Sequence, residues 1–433
     1  MAVKIKDILG LNARNYEYLS HYNQRSAKRI ADSKLLTKST LRRINLPVPR
    51  LYRVFKADEE VERFDFGKLE DSFVVKPNRG LGGEGIIVVE KSGETAGTWV
   101  TAEGQTVTVE DLKLHIRDIL EGRFSMNDLP DIAFVEERVR IHPAFAPYAY
   151  HGTPDIGVLV FNRVPVMAFL RLPTKESGGR ANMFQGAIAC GIDMAAGVTT
   201  HAVQYTHYVD FFPETRHRLR GIKIPEWEQV MEIAILCADA SGLGYMRADI
   251  VLQPSLKTPG KTLPKVLEIN AQPGLKIQLC NRAGLRRRLV RVEGLEVETP
   301  QQGIKIAQDL FGDKEVADIG SQPKVIGVFE TVEVVNQMGE KVPVKAKLDT
   351  GAFRSSIDET LARGLGLLIP ENVLYEEFYR SALGREKRPI VNLTFFLGGR
   401  KIVSSANISD RKKLRRPMLI GRRDLAGFLV KSG

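Results

Sequence analysis

The polar run GDKEVADIGSQPK at residues 312–324 limits how this chain folds more than any other feature, because it separates two stretches of different texture. Domain boundaries fall in such segments, where few core contacts cross. Before it, short β-branched runs such as SFVVKP, GIIVVE, GVLVFN and KVLEIN alternate with helical spacing over Val109–Leu120 and Trp227–Ser241, which predicts mixed α and β structure. After it, KVIGVFETVEV, VPVKAKLDT, NLTFFLG, KIVSSANI and MLIG read as short strands, with one helix-like stretch over Glu359–Gly366. Ahead of both, Tyr16–Ile30 and Asp32–Ile44 read as helices, the second stopped by Pro47 and Pro49. The expected division is a helical N-terminal segment over 1–72, a main domain over 73–311, the linker 312–324 and a small β domain over 325–433. The fold class is α+β.

Composition excludes several function classes. With 43% hydrophobic and 27% charged residues the chain is neither a disordered nor a membrane-embedded type. Its longest apolar run, Ile156–Leu170, is broken by Asn162, Arg163 and Pro165, and MAVKIKDILGLNAR has no apolar core of signal-peptide length, so a cytoplasmic protein without a membrane partner is expected. Cys190, Cys237 and Cys280 lack C-x-x-C spacing and are expected as buried free thiols. The formal charge of +11 asks for an acidic partner. Neither RAGLRRRLVR (282–291) nor RKKLRRP (411–417) is interleaved with stacking aromatics, so nucleic acid is not expected, whereas a nucleotide phosphate or an acidic peptide suits the charge.

Chemistry gathers around two constellations. In the first, Lys34 and Lys76 are placed to neutralise phosphate oxygens, and NRGLGGEG, with Gly80, Gly82 and Gly83, offers backbone N–H groups, although it is neither a P-loop nor a dinucleotide fingerprint. Asp249 in RADIVLQ, with Glu268 and Asn270 in VLEINAQPG, supplies three hard oxygen ligands at the ends of two strands, a set that suits Mg2+ beside substrate phosphates. With DSKLLT, VVKP, the glycine loop, FVEERV, FLRLPTKESGGRANMFQGA and EINAQPG in that order, the stretch from Lys34 to Leu285 resembles an ATP-grasp enzyme of the RimK-like α-L-glutamate ligase family. The resemblance implies that Lys34 and Lys76 hold the ATP phosphates and that Glu136, Glu137 and Val139 form the adenine-side hinge. It implies likewise that Asp249, Glu268 and Asn270 hold Mg2+, for which Mn2+ can substitute, and that Arg171, Arg180 and Asn182 face the acyl phosphate and the substrates. Only 33 residues precede Lys34, fewer than such ligases usually have, so the acceptor-selecting surface is expected to differ. Arg247 stands where an apolar or small residue is expected.

The second constellation is KLDTGAFRSSI (347–357) followed by MLIGRRDL (418–425), which resembles a retropepsin-like aspartic peptidase with Asp349 as its catalytic carboxylate. Such peptidases need two carboxylates sharing one proton, and the chain has one such motif, so a homodimer through the tail is expected. A zinc mechanism is rejected, because H-E-x-x-H is absent and no histidine lies in the tail. The alternative is an ATP-grasp ligase of another substrate class, with a lone Asp-Thr-Gly turn in a tail that is a non-catalytic peptide-binding module. Together the resemblances imply an ATP- and Mg2+-dependent carboxylate–amine ligase that joins an amino acid, with glutamate favoured, to a peptide or protein, fused to a domain that trims the product.

Overall fold

A computed structural model of the protein describes residues 4–80, 82–125, 128–313, 324–381, 384–412 and 414–431. Its contacts divide it into two units, Met1–Ile192 with Gly197–Glu293, and Asp193–Ala196 with Gly294–Gly433. Most of the expected linker, 314–323, lies outside the described residues.

In the first unit, strands β1 (Leu51–Phe55), β2 (Phe73–Pro77), β3 (Ile87–Ser92), β4 (Thr98–Thr101), β5 (Thr106–Thr108) and β6 (Ala133–Glu137) form one sheet in the order β1-β6-β2-β3-β4-β5. Helix Val109–Leu120 packs Leu112, Ile116 and Ile119 into its core with Phe73, Val75, Trp99 and Val135. Thr108 and Asp111 form a capping box that starts this helix where the spacing predicts. A second sheet orders β7 (Asp155–Phe161), β8 (Val164–Leu172), β9 (Ile188–Ile192), β10 (Thr199–Gln204), β11 (His207–Val209), β12 (Tyr245–Pro254) and β13 (Thr262–Asn270) as β11-β10-β9-β8-β7-β12-β13. Every residue of β7 is buried, so both faces of this sheet are covered at its centre. Trp227–Ser241 is a helix as predicted, and Trp227 is 5% exposed. The three cysteines are buried and free.

The helix expected over Tyr16–Ile30 is broken at Asn23. Its side chain donates to Tyr245 O (2.7 Å) and Ala271 O (2.9 Å) and accepts from Tyr245 N (3.0 Å), contacts that pull it out of a helical path. Helix α1 (Lys34–Arg43) follows.

In the second unit, β15 (Phe329–Val335), β16 (Lys341–Asp349), β17 (Ser355–Asp358), β18 (Val373–Ser381), β19 (Gly384–Leu397), β20 (Arg400–Ser409) and β21 (Met418–Gly421) make one sheet, and an additional β15–β19 pairing closes six of them into a ring. Along β16, Val344, Ala346 and Leu348 point into the core while Lys345 and Lys347 face out. Lys324–Gly327, here β14, pairs in parallel with β22 (Phe428–Lys431). The helix Pro300–Phe311 falls within the 73–311 span expected for the main domain, and its contacts place it in this unit. Its Asp309 accepts from Arg354 (2.9 Å), Tyr375 (2.6 Å), Arg423 (2.5 Å) and Ser405, all of them tail residues. Among the described residues no helix is long and apolar enough to cross a membrane.

Candidate active site

A cleft of about 630 Å³ in the first unit is lined by residues of both sheets. One wall starts at the N-terminus of α1. Ser33 caps this helix by accepting from Leu36 N (3.2 Å), and the buried Asn78 accepts from Ser33 Oγ (3.0 Å) and Leu35 N (2.9 Å). Lys34 is thereby fixed beside the glycine loop, its Nζ donating to Gly80 O (3.0 Å) and lying 3.8 Å from Glu268 Oε2 on the opposite wall. Gly82 and Gly83 have φ of +63° and +83°, a region open to glycine at little cost.

Lys76 ends β2 with its Nζ 2.7 Å from Glu136 Oε1 on neighbouring β6. The other oxygen of Glu136 lies 2.7 Å from Lys38 Nζ, an ion pair without hydrogen-bond alignment. Glu136 is fully buried and Lys38 is 2% exposed. Burial raises the Glu136 pKa, but the two lysines outweigh it and hold the carboxyl below its ordinary range. For Lys38 burial is the largest cause and lowers its pKa, with Glu136 opposing. Glu136 is thus the counter-ion of two lysines. Glu137 pairs with Lys265 and accepts from Arg50 N (3.0 Å), and Val139 is 7% exposed at the edge of the cleft.

On the other wall, β12 and β13 set Asp249 opposite Glu268 and Arg247 opposite Asn270. Asp249 is 1% exposed and accepts from both guanidinium groups, Arg171 Nη2 at 2.9 Å and Arg247 Nε and Nη2 at 2.6 and 2.7 Å. Arg171 in turn grips Asp155 through Nε and Nη2 at 2.6 and 2.8 Å. Arg171 is therefore shared by two buried carboxylates, and Arg247 has a defined place beside it. Each guanidinium carbon sits 5.5 Å from the centre of the Phe169 ring. Burial pushes Asp155 up, while Arg171 and Arg247 hold Asp249 down against its own burial.

As metal ligands the three expected residues are unequal. Asn270 donates Nδ2 to Asp249 (3.0 Å), Glu268 keeps a third of its side chain exposed, and both Asp249 oxygens are occupied by arginines. Among the described residues no three His, Cys, Asp or Glu side chains group closely enough to hold a metal. The donor set fits a hard cation that takes Glu268 and Asn270 from the protein and its remaining ligands from phosphates and water, the habit of Mg2+.

Asn182, expected to face the substrates, donates Nδ2 to Gly82 O (3.2 Å) and accepts from Phe184 N (2.9 Å), so it ties its own loop to the glycine loop. Arg180 is exposed and lies along Gly83. The sequence reading missed Lys38, Asn78 and Asp155. Lys38 alone had a local signal, one turn after Lys34 on the same helix.

In the second unit, Asp349 ends β16 in register with Gly421 of β21, and its Oδ1 accepts from Gly351 N (2.9 Å) and Ala352 N (3.2 Å). Arg422 N and Arg423 N donate to Ala352 O (2.8 Å) and Phe353 O (3.1 Å), which lashes the Asp-Thr-Gly loop to the turn after β21.

The model of the family described as sugar-transfer associated ATP-grasp matches residues 13–294. No curated protein matches the sequence. Among solved structures, the ATP-grasp ligase PsnB complexed with a phosphomimetic variant of its minimal precursor, Mg and ADP is 15% identical with a TM-score of 0.32, over 63% of this chain and 60% of that chain. The chain thus covers less than two thirds of the length of PsnB. D-alanine–D-alanine ligase from Bacillus anthracis complexed with ATP is 15% identical with a TM-score of 0.34, over 65% and 70%. The Simian Foamy Virus (mac) protease in solution is 21% identical with a TM-score of 0.17, over 22% and 90%.

Proposed function

The chain belongs to the sugar-transfer associated ATP-grasp family, and on that premise we propose that it is an ATP-dependent carboxylate–amine ligase. The observation that carries this reading is the cleft itself, in which Lys34, Lys76 and the glycine loop face Glu268, Asn270 and the Asp249–Arg171–Arg247 cluster. A carboxylate oxygen of the donor attacks the γ-phosphorus of ATP and ADP leaves. The amine of the acceptor then attacks the acyl carbon, expels phosphate and loses a proton, giving an amide. Such a phosphoryl transfer needs positioning and charge neutralisation more than covalent help from the protein. Lys34 and Lys76 neutralise phosphate oxygens, and Lys76 exchanges Glu136 for the nucleotide while Lys38 keeps that buried carboxylate paired. Asn182 closes its loop over the glycine loop. Mg2+ would be held by Glu268 and Asn270 and would neutralise charge between phosphates. The added amino acid is glutamate by resemblance, and the acceptor is a peptide or protein. Phosphate release that depends on both an amino acid and a peptide, matched by a mass gain on the peptide, tests the reading; ATP hydrolysis indifferent to both would refute it.

We propose further that the tail is retropepsin-like and acts as a homodimer in which Asp349 of each copy completes a dyad. The pairing of Asp349 with Gly421, and the lashing of the Asp-Thr-Gly loop to the turn after that strand, support this reading. Peptide cleavage that falls on dilution, survives EDTA and is lost in Asp349→Asn is expected. Cleavage by a demonstrated monomer would refute it.

A further inference from the structure

The arginine run after the cleft is already engaged in packing: Arg286 pairs with Glu17 and Arg288 Nη1 donates to Val166 O (2.8 Å). Three other cations of the first unit, Lys276, Arg282 and Arg220, form no ion pair among the described residues. Lys276 lines the end of the cleft, its Nζ 3.8 Å from the ring centre of Phe184, which is 75% exposed. The short helix Ile277–Asn281 then leads to Arg282, whose guanidinium lies 5.2 Å from the ring centre of the exposed Tyr208. Tyr208 belongs to β11 and donates its hydroxyl to Leu279 O (3.3 Å), which joins strand and helix. Arg220 is exposed on the loop after β11, and both it and Arg282 bear on His201 of β10, whose pKa is lowered first by burial and then by these two charges, with the exposed Asp210 at the end of β11 opposing them. β11 ends its sheet, so among the described residues one of its edges has no strand partner.

Resting on the ligase reading above, we propose that this face docks an acidic peptide as the acceptor. The peptide adds along the free edge of β11, sets carboxylates on Arg282 and Arg220, and delivers its reacting end past Lys276 into the cleft. An edge strand offers hydrogen bonds to a peptide backbone and leaves side chains to give specificity. The charges provide complementarity that steers the approach. A single-stranded nucleic acid fits less well, because Phe184 and Tyr208 each have a cation of this chain on one face, which leaves less ring for base stacking.

The test is fluorescence anisotropy with the full chain and no ATP, using labelled octaglutamate, octalysine and an eight-nucleotide oligothymidylate. Octaglutamate should bind and weaken with salt, and octalysine should not bind. Arg220→Glu/Arg282→Glu should weaken octaglutamate by at least about tenfold, and the milder Arg220→Gln/Arg282→Gln should lose less in the same direction. ATP affinity by equilibrium dialysis should be unchanged in both. Octaglutamate affinity unaffected by both double variants overturns the docking face, and so does oligothymidylate binding more tightly and being lost in the same variants. A wild-type chain that binds octaglutamate as described but no ATP would instead overturn the ligase reading and leave the docking face standing.

Discussion

Glu136→Gln removes the shared counter-ion of two lysines and should destabilise the first unit in a pH-dependent way. Lys38 and Glu136 are 2% and 0% exposed, and losing one partner of a buried pair costs about 3–5 kcal/mol. Lys76, at 15% side-chain exposure, can turn toward water and adds little. Lys38 can also escape by releasing its proton. Neutralising it costs about 1.36 kcal/mol for each pH unit below its ordinary value of 10.5, so its contribution is capped at about 4.8 kcal/mol at pH 7 and about 2 kcal/mol at pH 9. The sign follows from proton counting. A lysine whose folded pKa is lowered binds fewer protons folded than unfolded, so stability rises with pH up to the unfolded value. The expected loss is about 3–5 kcal/mol at pH 7 and no more than about 2 kcal/mol at pH 9. The only two tryptophans, Trp99 and Trp227, both lie in the first unit, so urea unfolding followed by tryptophan fluorescence reads that unit selectively. An unchanged midpoint at pH 7, or a loss that grows with pH, would refute the argument.

Other substitutions separate the roles of the cleft residues. Lys76→Ala and Glu268→Ala should each lower ATP-dependent ligation by about 10² to 10³ while leaving the fluorescence-detected unfolding midpoint near wild type, and near-normal turnover in either would remove that residue from the site. Asn182→Ala should raise KM for ATP together with that for the acceptor, because the hydrogen bond it deletes runs to Gly82; a change in acceptor KM alone would return Asn182 to the substrate side. Asp309→Asn should destabilise the second unit by about 3 kcal/mol, since it takes the nearest carboxylate from buried Arg354 and half-buried Arg423 and leaves them only the longer pairs with Glu377 (3.6 Å) and Asp424 (3.7 Å); protease susceptibility of the tail equal to wild type would contradict this. In the wild type, Arg423 and Arg354 hold Asp309 far below the carboxylate range despite its burial, so that stability is present above about pH 4 and lost as pH falls further.

Local patterns were legible and distant pairings were not. The helices Val109–Leu120 and Trp227–Ser241 sit where apolar spacing predicts them, because that signal is carried by residues three and four apart in the same segment. The strands carrying Lys76, Asp249 and Glu268 were equally visible as β-branched runs with chemistry at their ends. What the spacing could not carry is the partner of each charge. Lys38 finds Glu136, Arg171 finds Asp155 and Asp249, and Asp309 finds Arg423 across long stretches of chain that the sheets bring together. The break at Asn23 was hidden for the same reason, since its hydrogen bonds run to Tyr245 and Ala271. Arg247 looked out of place in its strand until Asp249 and Phe169 supplied its neighbours.

The central claim is that the cleft activates a carboxylate as an acyl phosphate, and oxygen transfer tests it most directly. The protein is incubated with ATP, Mg2+, an acidic peptide and an amino acid panel, with one reactant carrying 18O in its carboxylates, and the released phosphate is analysed by mass spectrometry. If the labelled carboxylate is the one activated, each amide formed should place one 18O in phosphate, with ADP as the other product. Amide formation with unlabelled phosphate whichever reactant carries the label, or with AMP in place of ADP, would contradict the account.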